Sequence, residues 1–485
     1  MTRITRRRVS RASRPRIAGE TPATLVLAAL APYSRVLGAN NDIRVAVVGF
    51  NSQGSNHIKY FSKLPGVRLV ALCDVDRDVI DREARKFKER NEQVDTYVDV
   101  RKLLDDKNID AIVTATPNHW HSLVTIWACQ AGKDVYVEKP VSHDIWEGRK
   151  MVEAARKYNR IVQAGTQRRS DEGLAQAFEY IRQGNLGKIL RARCYYFSPR
   201  GPIGKVNGPQ TVPANIDYDL WTGPATLTPL MRKNLHYDWH WQWLYGNGDL
   251  GNNGIHFLDE CRWALGYSDL PPRVISFGGK FLWDDDRQTP NAQVAYYDYK
   301  PAPIIFEMRN LPQKKGDSAM DLTYRRSRSD TVIECEGGYF AGGWAYDYQD
   351  NKLKQFKVTG GEGHHVNFIK AVRSRKVSDL NADILQGHLS TALCHIGNIS
   401  YQLGRMATRG DIVKSLESNE VPLDAYERLC EHLVQNEVDL QTPQVLGPWL
   451  AMDSDAERFV GELGSEANMY LSRNYRQPFV VPEKV

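Results

Sequence analysis

A seven-residue run, IRVAVVG at Ile43–Gly49, limits the possible architectures of this chain more than any other stretch. Its β-branched residues suit a strand buried on both faces. The run passes directly into Gly49-Phe50-Asn51-Ser52-Gln53-Gly54, and helical spacing follows over Gly54–Leu64. The alternation then repeats. Val67–Asp74, Ile109–Thr116, Asp134–Glu138 and Ile161–Thr166 read as strands. Asp78–Arg90, the piece ending at Leu103–Asp105, Asn118–Ala131 and Asp144–Tyr158 read as helices. Strands alternating with helices predict a doubly wound parallel sheet.

Composition narrows the class further. With 42% apolar and 25% charged residues, the 485-residue chain is neither disordered, nor collagen-like, nor a disulfide miniprotein. Its length accommodates two or three domains. The formal charge of +6 is concentrated at one end: residues 1–39 carry eight arginines and Glu20 as the lone acid, a net of +7 that leaves −1 for the rest. A near-neutral body offers no broad attraction to polyphosphate, so no nucleic-acid partner is expected. Cys73, Cys129, Cys194, Cys261, Cys335, Cys394 and Cys430 include no CxxC pair and read as small buried hydrophobes.

Residues 1–39 combine a basic start (TRRRVS at Thr5–Ser10), an apolar stretch at Ala23–Ala31 and small residues at Gly38-Ala39. These are the parts of an export signal, here resembling the twin-arginine type, and periplasmic or exported location is expected. A basic arm on a cytoplasmic protein is the alternative. Nine apolar residues do not span a bilayer, so no membrane span is expected.

A strand-to-helix turn of the form GxGxxG binds dinucleotide pyrophosphate on free backbone N–H groups. Here Asn51 replaces the middle glycine. Asparagine tolerates left-handed backbone angles but adds a side chain where the phosphates approach. Gly49, Asn51, Ser52, Gln53 and Gly54 are the candidate phosphate-binding residues. Asp74, twenty residues beyond Gly54, is placed to accept from both ribose hydroxyls and to repel a 2′-phosphate. NAD is therefore expected over NADP, with Arg77 close enough to leave the choice open.

The strand Asp134–Glu138 ends in Glu138-Lys139-Pro140. It stands between TPNHWH at Thr116–His121 and AGTQRRS at Ala164–Ser170. With these motifs the chain resembles the glucose–fructose oxidoreductase/inositol dehydrogenase/rhizopine catabolism (Gfo/Idh/MocA) family from about Ile43 onward. HYDWHWQW at His236–Trp243, GNGDLGNNGIHFLD at Gly246–Asp259, Leu380–Arg405 and the segment Asn474–Pro482 resemble an exported bacterial subgroup of it. The resemblance implies an N-terminal Rossmann domain over residues 40–166. It implies a substrate and oligomerisation α/β domain with a large, open, mostly antiparallel sheet over residues 167–420. A C-terminal helix and extended tail follow over 421–485. It further implies that Thr116, Asn118, His121, Glu138, Lys139 and Gln167 adjoin the cofactor, and that the substrate is a small carbohydrate.

Many relatives carry Asp-x-x-x-His where this chain has Asn252 and His256. Asparagine orients a hydroxyl but takes no proton. Oxidising a secondary alcohol removes a hydride, for which nicotinamide is the acceptor, and a proton, for which His256 is the candidate base. Lys139 would polarise the hydroxyl and stabilise alkoxide charge. Asp259 either orients the His256 imidazole or pairs structurally. His240, Arg169 and Trp243 are further candidate substrate contacts. Alternation predicts Trp239, Trp241 and Trp243 on one strand face, stacking on sugar or packing in a core or subunit interface. His364 and His365 stand at a helix start and are weighed as substrate-facing. His236, His240, His256 and Asp259 lack tight metal-ligand spacing, and no metal is assigned.

Beyond the first sheet, Gly187–Phe197, Pro272–Phe281, Gln293–Tyr299, Ile304–Met308 and Thr331–Glu336 read as strands of one sheet, and Gly201–Leu235 as a long functional loop. Leu174–Gln183, Phe368–Arg375, Asp383–Arg405 and Pro422–Glu437 read as helices. An open sheet face needs cover, so a homo-oligomer, dimer or tetramer, is expected. The leading expectation is an NAD-dependent oxidoreductase acting on a ring hydroxyl of a sugar or glycoside. The alternative is a glycoside-cleaving enzyme with tightly held NAD that oxidises transiently and eliminates. A third is a non-catalytic sugar- or nucleotide-sensing protein.

Overall fold

The computed structural model describes residues 42–317 and 322–485. The export signal expected at residues 1–39 lies outside the described residues. From β1 (Ile43–Val48) the chain runs through α1 (Gln53–Phe61), β2 (Val67–Cys73), α2 (Arg77–Glu89), β3 (Asp95–Tyr97) and α3 (Val100–Asp105). It continues through β4 (Ala111–Thr114), α4 (Asn118–Gln130), β5 (Asp134–Val137), α5 (Ile145–Lys157) and β6 (Val162–Ala164). These six strands form one parallel sheet in the order β3-β2-β1-β4-β5-β6. This is the Rossmann order, and it reverses between β1 and β4, where such sheets bind ligands. All of β1 except Arg44 is buried, as a central parallel strand requires. β3 escapes a pattern search because it is a three-residue edge strand, mostly exposed and polar.

Helix starts in this domain differ in a way that matters for the site. Asp76, Asp99 and Asp144 cap α2, α3 and α5 by accepting first-turn backbone N–H groups. α1 and α4 begin at Ser52 and Pro117 without a side-chain cap. Both uncapped starts point to the same end of the sheet.

The chain continues through α6 (Glu172–Arg182), β7 (Ile189–Phe197), α7 (Tyr218–Thr222), α8 (Ile255–Leu265), β8 (Arg273–Gly279), β9 (Ala292–Tyr297) and β10 (Ile304–Arg309). Next come β11 (Thr331–Cys335), β12 (Gly338–Ala341), β13 (Trp344–Tyr346), β14 (Lys352–Gln355), α9 (His364–Ser374) and α10 (Ile384–Gln402). Last are β15 (Arg405–Ala407), α11 (Arg409–Leu416), α12 (Glu420–Gln435), β16 (Gln444–Leu446), β17 (Leu450–Asp453), β18 (Arg458–Val460) and α13 (Gly464–Asn468). The strands form a 12-stranded sheet in which β7 and β10 are parallel and the other pairings antiparallel. α6, α8 and α10 pack on one face through Phe178, Leu258 and Leu393 against Phe306 and Ile333. α11 and α12 cover part of the other face, setting Ile412, Tyr426 and Leu429 over Phe277, Val294 and Ile305. The expected cover over the open face is thus supplied in part by the chain itself. All seven cysteines are buried and free.

Two expectations about this region are corrected. The alternating tryptophans do not lie on a strand: Asp238–Trp241 is a single helical turn. Asp238 Oδ2 accepts from the Asn234 backbone N–H at 3.1 Å and side-chain Nδ2 at 2.9 Å, a local closure that outcompetes strand pairing. Residues 421–485 are not an appended helix and tail. β16 and β17 join β8 in the large sheet, and Phe479, Val481 and Val485 are built into the core of the Rossmann domain.

Candidate active site

A cavity of about 1080 Å³ opens at the carboxyl ends of β1, β2, β4 and β5. Its first wall is the turn after β1. Gly49 has φ +74°, and a Cβ on it would lie 2.8 Å from Thr116 Cα. A Cβ on Gly54 would lie 2.0 Å from the Gly49 carbonyl oxygen. Glycine is therefore required at both ends of the turn, by conformation at one and by close approach at the other. Asn51 is not left-handed. It is exposed, and its Oδ1 accepts from Arg82 Nη2 at 3.0 Å, so its side chain engages α2.

Asp74 directly follows β2 and lines the cavity. Its oxygens accept from Phe50 N–H at 2.9 Å and Asp76 N–H at 3.1 Å. Burial, the largest influence, pushes its pKa above the usual carboxylate value despite these bonds.

Glu138 and Lys139 emerge from β5 into opposite environments. Glu138 Oε1 accepts from Gln167 Nε2 at 3.0 Å and contacts His57 Nε2 at 2.9 Å. Its Oε2 accepts from Lys139 N–H at 3.1 Å. Burial acts to raise its pKa, but the bond and charge of His57, with the Lys139 ammonium, hold it well below the carboxylate range. Lys139 Nζ donates to the Asn252 backbone oxygen at 2.8 Å and to Asn252 Oδ1 at 3.1 Å. Burial lowers its pKa more than Glu138 and Asp249 raise it. Asn252 sits in a widened turn, Leu250–Gly254, with π-helical bonding that leads into α8. Such turns recur at functional sites.

His256, one turn along, lines the cavity, and its ring makes no hydrogen bond among the described residues. Burial first, and then the nearby Lys139 ammonium, lower its pKa to about 3, so the imidazole is neutral. An ammonium anchored from the Rossmann domain and a neutral imidazole from α8 thus share one cavity. Trp239 stacks on His240 with ring centroids 3.7 Å apart on the same lining, and Arg200 joins them, with its Nε 3.0 Å from Asp249 Oδ2.

Among the residues singled out in the sequence, Gly49, Asn51, Ser52, Gln53, Asp74, Thr116, Asn118, His121, Glu138, Lys139, Gln167, His240, Asn252 and His256 line the cavity. Gly54 lies beneath the turn. His121 ties the Rossmann loops together, with ring nitrogens 2.7 Å from the Pro140 and Thr116 carbonyl oxygens. Three candidates lie elsewhere. Arg169 and Asp259 are spent on each other, with bonds of 2.9 and 2.8 Å, and Ser390 Oγ donates to Asp259 at 2.6 Å. Asp259 therefore does not hold the His256 ring. Trp243 does not line the cavity; its backbone N–H donates to Gln288 Oε1 at 2.8 Å and its carbonyl oxygen contacts His143 Nε2 at 3.0 Å. His365 lines the cavity and contacts His57 Nδ1 at 3.0 Å, whereas His364 is buried against Ser170 and Ala164. Arg200 and Trp221 line the cavity without having been singled out, and buried His57 braces it from behind through Glu138 and His365. For His57 a signal existed: it follows Gly54 by three residues, on the inner face of α1.

Comparison with known proteins places this geometry in a family. Residues 43–166 match the model described as "Oxidoreductase family, NAD-binding Rossmann fold", and residues 201–421 match "Oxidoreductase family, C-terminal alpha/beta domain". An inositol 2-dehydrogenase/D-chiro-inositol 3-dehydrogenase of Shouchella clausii is 31% identical over 156 residues, 32% of this chain and 44% of that protein. A glycosyl hydrolase family 109 protein of Shewanella sp. (strain W3-18-1) is 27% identical over 159 residues, 32% of this chain and 35% of that protein. These matches therefore span less than half of the curated relatives' length. The WlbA dehydrogenase from Bordetella pertussis, solved with NADH and UDP-GlcNAcA, superposes with TM-score 0.54 at 19% identity, over 73% of this chain and 95% of that one. A putative NADPH-dependent oxidoreductase from Desulfitobacterium hafniense gives TM-score 0.56 at 13% identity, over 74% and 96%. Those two likenesses establish a shared fold. With both parts of the chain matched by the two family models, the protein belongs to the Gfo/Idh/MocA oxidoreductase family.

Proposed function

We propose that the protein is an NAD-dependent oxidoreductase acting on a secondary ring hydroxyl of a sugar or glycoside. The observation that carries this reading is the convergence of anchored Lys139, Asn252 and the unpartnered His256 ring on one cavity at the end of β5. The site fits a dinucleotide: Gly49 and Gly54 at the two ends of the turn leave no room for a Cβ, α1 and α4 start uncapped, and Asp74 is presented at the ribose position. Asp74 favours NAD over NADP. When bound, the nicotinamide supplies the acceptor for the electron pair leaving carbon.

The chain's own residues do the rest. Lys139 Nζ, with Asn252 already taking part of its hydrogen bonding, donates to the substrate hydroxyl and stabilises the alkoxide as it forms. A ring nitrogen of neutral His256 takes the hydroxyl proton. Trp239 and His240 offer an aromatic wall to a sugar face. The purified protein is expected to reduce NAD with some member of a carbohydrate panel, and Lys139→Met is expected to lose at least about a hundredfold in kcat with the fold intact. Wild-type turnover by that variant would remove Lys139 from the mechanism.

A second reading has its own support. Asn252 cannot take a proton, which leaves the imidazoles of His256 and His240 as the neutral bases on the lining that holds Lys139, and one similar protein is named a glycosyl hydrolase of family 109. On this reading transient oxidation acidifies a neighbouring C–H, and elimination cleaves the glycoside. Sugar release without net NADH separates it from the first. Export directed by residues 1–39 and assembly into a homo-oligomer belong to the same proposal. Cell fractionation and the mass of the native particle test them. Among the described residues, no helix is long and apolar enough to cross a membrane.

A further inference from the structure

Residues 198–245, between β7 and the widened turn before α8, leave the large sheet and cross to the Rossmann domain. There they bond to the loop that follows β2. Asp217 N–H donates to the Val75 oxygen at 3.0 Å, and Arg77 N–H donates to the Asn215 oxygen at 3.0 Å. Ile216 and Asp76 form an antiparallel bridge. Side chains repeat the connection: Asn215 Nδ2 donates to Asp76 Oδ1 at 2.7 Å, and His236 Nε2 meets Asp76 Oδ2 at 2.8 Å. The same stretch is fastened to α4, because Trp120 Nε1 donates to the Leu220 oxygen at 3.0 Å and His119 Nε2 lies 2.9 Å from the Trp221 oxygen. Gly223 lies flat on this contact, and a Cβ there would be 2.2 Å from the Trp120 ring.

A third element locks the arrangement from outside. In the C-terminal segment, Arg476 donates to Asp219 Oδ1 at 2.6 Å, to the Asp219 backbone oxygen at 2.8 Å and to the Gly223 oxygen at 3.2 Å. Leu220, Trp221 and His236 of the crossing segment line the cavity, facing Asp74, Val98 and Val100 of the Rossmann domain. The Asp74 side of the cavity is thus walled by two parts of the chain.

We propose that this crossing segment is a second wall of the cofactor site, which encloses the adenosine half of a bound dinucleotide and retains it between turnovers. The inference rests on the NAD reading above in its second, redox-neutral form, in which the cofactor stays bound through the cycle, and goes beyond it: exchange of the nucleotide requires the Asp76 and Trp120 contacts to break. Retention favours redox-neutral chemistry. A CH–OH oxidised to C=O loses two electrons and two protons, and a carbonyl reduced in the same cavity regains both.

The test is the rate at which bound NADH leaves the full-length protein when chased with excess NAD, followed by fluorescence. Asn215 and Arg476 do not line the cavity. An effect of Asn215→Ala or Arg476→Ala on that rate therefore reports the wall and not a lost nucleotide contact. Each is expected to speed release about tenfold or more, with the unfolding temperature within a few degrees of wild type. Release from the wild type that is complete within mixing, or release unchanged in both variants, would overturn the wall. Failure of every variant and of the wild type to bind NADH would overturn the cofactor reading itself.

Discussion

Lys139 and His256 are held at opposite protonation states by one environment. Burial lowers both pKa values, that of His256 to about 3, and the Lys139 ammonium adds to the effect on the imidazole. A reaction that needs protonated Lys139 and neutral His256 has an alkaline limb below the ordinary lysine value of 10.5, and its acid limb falls near pH 3. Measured kcat/KM is thus expected to show no limb near pH 6.5 from His256 and to fall on the alkaline side, below pH 10.5, as Lys139 deprotonates. A limb centred near pH 6.5 would show that the His256 imidazole is not held neutral. Asp259 belongs to a different account. Its bidentate pair with Arg169 leaves the two side chains 3% and 8% exposed, so Asp259→Asn is expected to cost about 3 kcal/mol in urea unfolding. Its effect on kcat is expected to be slight. Asp74 and Lys139 could be read in the sequence because a strand end fixes where such a residue projects. The Arg169–Asp259 pair could not, since it joins residues 90 apart whose meeting depends on how α8 packs.

At the scale of elements, the turn from β1 to α1 is the tightest joint in the site. Gly54→Ala brings its Cβ onto the Gly49 oxygen. It is expected to lower stability by about 2 kcal/mol and to weaken NADH binding, as denaturant melts and fluorescence titration would show. Normal binding by this variant would mean that the turn has slack which the close approach denies. The parallel strands were legible because each is an apolar, β-branched run with turn residues beside it. The Trp239–Trp243 stretch misled because alternation alone does not distinguish a strand from a short turn closed by Asp238 and Asn234. β12 to β18 are three to four residues long and draw their stability from neighbours. No local pattern announces them.

Across the molecule, burial keeps many histidines neutral. It lowers the pKa of His119, His365 and His395 to about 3, and of His240, His364 and His432 to about 4, from an ordinary 6.5. Below pH 6.5 the unfolded chain takes up protons that the folded protein refuses. The stabilisation is therefore complete above that pH and is lost as pH falls towards 4 and 3. Glu457, lowered to about 2 against burial by His388 and Arg149, adds a further loss below pH 4.5. The unfolding temperature is expected to drop by about 10 °C or more between pH 7.5 and pH 5. A flat profile over that range would contradict the neutral-histidine account. The two-part plan of the molecule was readable from strand order and motif spacing. The return of the last residues to the Rossmann core was not, because Phe479 and Val481 look like any extended tail until Trp120 is set beside them.

Lys139 is tethered twice by one residue, at 2.8 Å through the Asn252 peptide oxygen and at 3.1 Å through its amide side chain. Only the second tether depends on which amino acid occupies position 252. Exchanging that residue therefore changes the hydrogen bonding and polarity around the Lys139 ammonium while the lysine keeps its mooring on the peptide oxygen.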